Sequence, residues 1–557
     1  MSATLKEKPV VDVQILEATD GCLLATDTPF ANYTTVDQTN ADDVRLAELG
    51  YRGEFRRGFS LLDTVAFAFS IMSVIGGVSS TLSFGLASGG HLGMVWGWFI
   101  PYLFVICIAA SMAEMASSVP TSAGLYYFSA KLAPERYSAL ASWVTGWANV
   151  TGQVTLVCSI DYTVAQMITT AIAVNTDNAV VLGAGPTYGI LLAILFVHGV
   201  VCSADSMRTD WWSPFASLTA GATVAAVIAL LVCAGDRKVP TQTAFFSFEN
   251  HTGWRNDGWA FLLSFAAPMW SLTGYDSAAH IAEETAGAAR AAPIAILVSV
   301  AAVGGMGWIL LIAASFATAS VPALLDTELS LPMGQLLLDV LGKRGMLAIW
   351  SFTIIAQVRP PRLARPNRAD SQRAIGLQFL CGAAQAVDAS RVVFAFARDG
   401  ALPWSTWWER LDARTQTPVN AVWLVVALSA LCGLLGFSAT AFSSLAGASV
   451  IGLYTSYATP IFLRITSGRR KLVRGPFSLG EWYMPIGAIS VLWVTFIVVL
   501  LSFPPSQTTT AVQMDYASVI VFAVFVFAGC SWLLSARKWF VGPLPNVDRA
   551  YRGSKAF

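Results

Sequence analysis

The chain has 557 residues, 55% of them hydrophobic and 12% charged, with a formal net charge of zero and a mean hydropathy of +0.60. Soluble globular chains carry about a quarter charged residues, so a chain this apolar could not cover a water-facing surface, and the bilayer is its solvent. Zero net charge leaves no global field to select nucleic acid as a partner.

Residues 1–55 form a polar tail. The first apolar run begins near Leu61, far beyond where a cleavable signal would start, so the tail reads as retained, cytosolic and partly disordered. Apolar runs then recur near 61–86, 92–116, 139–173, 186–204, 211–234, 258–282, 292–317, 346–398 (interrupted), 419–437, 440–464, 483–503 and 516–535. Each is about twenty residues or longer, enough to cross ~30 Å of hydrocarbon at ~1.5 Å per residue. The expectation is an all-α membrane protein of about 12 transmembrane helices: a transporter domain over 56–536 and a cytosolic tail over 537–557. With the N-terminus inside, the inner loops hold Lys131, Arg136, Arg208, Arg290, Arg398, Arg410, Arg414 and the run Arg469 to Arg474. Arg237, Lys238, Arg255, Lys343 and Arg344 dissent, yet the balance puts both termini in the cytosol. Seven cysteines lie in or beside apolar runs and Cys22 lies in the tail; with no CxxC pair or Cys/His cluster, no metal site is expected.

The first run contains Ser73-Val74-Ile75-Gly76-Gly77-Val78-Ser79-Ser80-Thr81. Paired glycines among β-branched and hydroxyl residues weaken a helix. A break there exposes the N–H groups of the following half-helix to a carboxylate; close helix packing through small residues is the alternative. In the third run Asp161 is an intramembrane acid, either a site or proton-coupling residue or a pairing group near the outer end. The sixth run reads Pro268-Met269-Trp270-Ser271-Leu272-Thr273-Gly274-Tyr275-Asp276-Ser277. Gly274 permits unwinding, and Asp276 is expected to face a cavity, where it meets a cationic group or a coupling proton. Interrupted helices at matched places in two five-helix halves point to a transport site at the midplane. Glu114, Glu283, Glu284, Arg391, Arg398 and Asp399 sit at inner helix ends, placed for gating ion pairs or for snorkelling anchors.

The eighth run stops at Gln357, and a stretch from Val358 to Gln378 follows with several Arg and Pro residues before Phe379-Leu380-Cys381 resumes. Each central Arg would cost ~2.5–3.5 kcal/mol in a spanning helix, and no lipid-facing loop is tolerated at that depth. Excising 358–378 rejoins one helix, so the segment reads as a foreign insertion. A retained intron fits, since Val is encoded by GT-starting codons and Gln has a codon ending in AG.

Four segments resemble the amino acid–polyamine–organocation transporters, in particular the fungal amino acid/choline branch with its GABA and choline permeases. They are Ile75-Gly76-Gly77 through Trp96-Gly97-Trp98; Ala113-Glu114-Met115 through Tyr126-Tyr127; Thr273 through Thr285; and Ala389-Ser390-Arg391 through Pro403. The resemblance implies a 5+5 inverted repeat with broken helices 1 and 6, alternating access, and a small-molecule substrate between the breaks. Ile75, Gly76 and Gly77 then resemble a carboxylate-binding break, Trp270 an aromatic gate, and Thr273 and Asp276 side chains facing the site. Many relatives carry Ser or Thr inside the first break; Gly76-Gly77 leaves mainly backbone donors, with Ser79 or Ser80 as substitutes. The implied activity is carriage of amino acids or amines such as GABA, with H+ rather than a cofactor as coupling ion, at the plasma membrane. A choline permease or a non-transporting nutrient receptor of the same fold are the alternatives; no nucleophile, metal cluster or phosphate loop suggests an enzyme.

Overall fold

In the computed structural model the described residues are 57–204, 212–354, 356–357, 374–375, 377–438, 440–507 and 514–543. The expectations for the N-terminal tail, for residues 544–557 of the C-terminal tail, for Arg208 and for the interior of the basic segment fall outside the described residues.

The chain enters the bundle at helix α1 (Leu61–Met72). Ser60 sets its start: its hydroxyl accepts from the Asp63 N–H, and the Asp63 carboxylate accepts from the Ser60 N–H, satisfying two otherwise unpaired donors. At Ser73, with φ 39°, the helix breaks, and α2 (Val74–Ser118) begins. Gly90, at φ 58°, reverses α2 into a hairpin so tight that a Cβ on Gly93 would lie 2.5 Å from the Gly85 carbonyl oxygen. Then come α3 (Gly124–Leu132), α4 (Ser138–Asn175), α5 (Ala184–Ser203) and α6 (Trp212–Cys233). The sixth span is the pieces α7 (Asp257–Leu263), α8 (Ala266–Ser271) and α9 (Ser277–His280). It is followed by α10 (Ala288–Ala317), α11 (Pro332–Ile354), α12 (Leu377–Arg398), α13 (Val419–Cys432), α14 (Ala441–Ile465), α15 (Tyr483–Leu500) and α16 (Ala517–Leu534).

Among the described residues, nine helical stretches are long and apolar enough to cross a bilayer. The first of them, Leu61–Ser118, holds two crossings. The broken sixth span and the hydroxyl-rich 25-residue α14 complete the twelve expected runs. Glycines let the helices approach at backbone distance, the packing mode that lipid favours. A Cβ on Gly452 of α14 would meet Gly152 N of α4 at 2.8 Å, and one on Gly304 of α10 would run into the Tyr102 ring of α2.

Helices α11 and α12 lie in line along α4, running antiparallel to it. Lys343 Nζ bonds Asp177 at 2.8 Å, Trp350 Nε1 donates to the Met167 carbonyl at 3.0 Å, Gln385 donates to Gln153, and Phe396 fills the space above Gly146. From Lys343 to Phe396 the chain advances 53 residues, while its neighbour retreats 31, from Asp177 to Gly146, a surplus of 22. A two-residue antiparallel pair, Ala356 opposite Ile375 and Gln357 opposite Ala374, brings the two flanks of the basic segment together.

Candidate functional site

The two broken helices abut. The first breaks at Ser73 rather than at Gly76-Gly77, which corrects the expectation from sequence: Ile75, Gly76 and Gly77 form the opening turn of α2. Only the Gly77 N–H closes a bond in that turn, to the Ser73 carbonyl at 2.6 Å. The preceding N–H groups are the unsatisfied donors of a helix start. The glycine at 77 serves approach instead, since a Cβ there would lie 3.2 Å from the Ser271 Cβ. Ser80 spends its hydroxyl on the Gly76 carbonyl at 2.8 Å. The buried hydroxyls of Ser73 and Ser79 have no hydrogen-bond partner, so Ser79 is the free hydroxyl of the two considered.

In the sixth span, the backbone unwinds between α8 and α9. Gly274 there has φ 103°, and a Cβ would strike the Ile71 side chain of α1, so glycine is required twice over. Thr273 bonds back to the Met269 carbonyl at 2.5 Å, which occupies its proton rather than presenting it. Trp270 is buried; its Nε1 donates to Ser159 at 3.0 Å and its ring meets Phe442 edge-on at 5.2 Å. Phe442 in turn stacks on Phe84 at 5.7 Å. Beyond this aromatic trio lies a small vestibule of about 30 Å³, lined by Phe84, Ser88, Ala266, Ser443, Phe503 and Asp515 among others. Burial pushes the Asp515 carboxyl above the ordinary carboxylate range.

Asp276 does not face an open cavity, contrary to expectation. It is fully buried, and both oxygens are engaged. Oδ1 accepts from the Tyr457 hydroxyl at 2.7 Å; Oδ2 lies 3.3 Å from both His280 Nε2 and Gln153 Nε2. Gln153 also donates to Asp388 Oδ2 at 2.8 Å. Its amide orientation is fixed by Gln385, which donates to its oxygen. Asn149 Nδ2 stands 3.3 Å from His280 Nε2, and His280 Nδ1 stands 3.3 Å from the Ser122 carbonyl. Asp388, Gln385 and Tyr457 were missed in the sequence. Asp388 carried a usable signal as an intramembrane acid, obscured by the basic stretch that splits its span. Asp161 is elsewhere: it pairs with His198 at 3.0 Å, both side chains fully buried.

The charges expected to form a gate lie together at the end where α1 begins. Arg391 bonds Glu284 at 3.0 Å, and Arg398 lies 3.6 Å from Glu283. Glu283 Oε1 also accepts from Thr121, the Ser122 N–H and the Ser122 hydroxyl. Tyr126 donates to Asp399 at 2.8 Å, while Glu114 sits 3.5 Å from Arg464. These acids and arginines are buried or nearly so. The molecule is thus closed at this basic end and has its vestibule at the other.

The family model described as "Amino acid permease" matches residues 59–358 and 374–525, stepping over the stretch between. The chain is 34% identical over 527 residues to "Amino-acid permease BAT1" of Arabidopsis thaliana, covering 91% of this chain and 97% of that protein. It is 35% identical over 518 residues to the "Amino-acid permease BAT1 homolog" of Oryza sativa subsp. japonica, with 90% and 96% covered. It is also 32% identical over 528 residues to the "GABA-specific permease" of Saccharomyces cerevisiae, with 93% and 88% covered.

Proposed function

Because the chain belongs to the amino acid permease family, we propose that it is a proton-coupled secondary carrier of amino acids or GABA, working by alternating access at the plasma membrane. The carrying observation is the pair of abutting breaks at Ser73 and Gly274. A substrate carboxylate takes the open N–H groups of Val74, Ile75 and Gly76 together with the unpartnered Ser79 hydroxyl. Carbonyls of the unwound stretch Leu272 to Asp276 receive the ammonium group, and the trio Trp270, Phe442 and Phe84 shuts the substrate off from the vestibule. The basic end faces the cytosol, with Glu283, Glu284, Arg391, Arg398, Asp399 and Glu114 as its gate. GABA has support from the likeness to the yeast GABA-specific permease. Choline lacks a carboxylate and would leave the α2 donors unpaired, with only cation–π contact to the aromatic trio in compensation.

The test is uptake of labelled GABA and labelled amino acids into vesicles carrying the full chain, with competition by unlabelled amino acids, GABA and choline. Concentrative uptake competed by carboxylate-bearing compounds is the expected result. Binding without accumulation would instead mark a receptor, and competition by choline alone would overturn the carboxylate assignment.

A further inference from the structure

The cluster at the centre of the bundle has a composition that no substrate contact explains. Two carboxylates, Asp276 and Asp388, and one imidazole, His280, are enclosed at 0%, 0% and 1% exposure. Enclosed charges are costly unless balanced, and with His280 protonated the trio still carries one uncompensated negative charge. The surrounding charges are paired with one another, and Arg391 acts on Asp388 only at a distance. Arg391, one turn along α12 from Asp388, is bonded to Glu284, and Glu283 is held by Arg398, Thr121 and Ser122. Among the described residues, helix α4 offers the amides of Asn149 and Gln153, α14 the hydroxyls of Tyr457 and Tyr454, and the unwound stretch the buried hydroxyl of Tyr275; Arg290 of α10 is exposed. One further proton would make the trio neutral, and the structure has a place for it: Asp388 Oδ1 is buried with no partner. An orphaned oxygen costs far less on a carboxylic acid than on a carboxylate.

The imidazole is wired for both charge states. Nδ1 faces the Ser122 carbonyl, which only accepts, so Nδ1 carries hydrogen. Nε2 has an amide donor, Asn149, for its neutral form and a carboxylate, Asp276, for its protonated form. Ser122 also donates twice to Glu283, so one residue touches both the ring and the gate.

Resting on the proton-coupled reading above, we propose that Asp276, His280 and Asp388, bridged by Gln153, are the site that carries the coupling proton. The proton enters from the vestibule side, is shared among the three, and leaves to the basic end as the His280–Ser122–Glu283 contacts part. Asp388 and His280 are positioning and proton-holding groups that do not touch the substrate.

The experiment uses the full chain in liposomes, with labelled GABA or the panel amino acid taken up most strongly. Two rates are read: uptake driven by an acid exterior, and exchange of labelled for unlabelled substrate at equal pH. Asp388→Asn mimics the permanently protonated acid, and His280→Gln keeps a hydrogen-bonding side chain without titration. The expected result is a tenfold or greater loss of pH-driven uptake in both variants, with exchange retained and its pH profile flattened. Driven uptake persisting in either variant that exchanges overturns the assignment. So does loss of exchange in both, because a proton site separate from the substrate site must leave exchange intact. If the wild-type chain accumulates substrate without regard to the pH gradient, the coupling reading itself falls.

Discussion

At the residue scale, the site depends on positions where a side chain would be an obstruction. Gly274 couples the two breaks: its positive φ unwinds the sixth span, and its bare Cα lets Ile71 of α1 fit against it. Gly274→Ala should therefore cost at least tenfold in uptake. Surface expression should be retained, because the clash lies at a segment that is already irregular. Equal uptake at equal expression, measured in the same cells, would show that the two breaks do not need their close approach. The sequence made Gly274 legible because a glycine between a proline and an acid, inside an apolar run, marks a weak point in the helix. Ser73 was not legible: a serine with φ 39° has no signature, and the adjacent Gly76-Gly77 drew the break three residues too far along. Asp276 stood out as an intramembrane acid, but its partners come from α4 and α14, far away in sequence, so its enclosure could not be read from its own neighbourhood.

At the element scale, the eighth span holds two helices that behave as one. Their contacts along α4 leave a surplus of 22 residues, close to the 21 of segment 358–378, and the family match steps over 359–373. Deleting 358–378 joins Gln357 to Phe379 and should yield a chain with a higher melting temperature in detergent and greater uptake per molecule. A deletion variant that is less stable than the full chain would mean that the segment is part of the working fold. The apolar pattern and the cost of arginine in lipid exposed this anomaly in the sequence. What the pattern could not give was the register, which required the fixed points at Asp177, Met167, Gln153 and Gly146.

At the scale of the whole molecule, basic side chains crowd one end and the vestibule opens at the other. On the proposed reading, the positive-inside tendency puts both termini in the cytosol. Epitope tags at the two termini should be cut by protease only after cells are permeabilised; cutting of either tag in intact cells would invert the assigned direction of transport. Twelve apolar runs were legible because bilayer thickness fixes their length. The buried ion pairs at the basic end were legible only as a set of charges at helix ends, since pairing of Glu283 with Arg398 or Glu284 with Arg391 is decided by how the turn after α9 meets α12.

The glycine joint between α4 and α14 constrains how such a molecule moves. Gly152 and Gly452 meet backbone to backbone, with the Leu453 side chain against Gly152, and the Ala148 carbonyl closes the same pocket, 3.0 Å from where a Gly452 Cβ would be. Interlocking side chains can slip by changing rotamer, but bare backbones in contact have no such give. Sliding of one helix along the other would drive the Leu453 side chain, already packed against Gly152, into the α4 backbone. Rotation about the point of contact meets no such barrier. The joint is a fulcrum: the far ends of α4 and α14 can swing in opposite senses while the polar cluster one turn away, at Asn149, Gln153 and Tyr457, moves least of all.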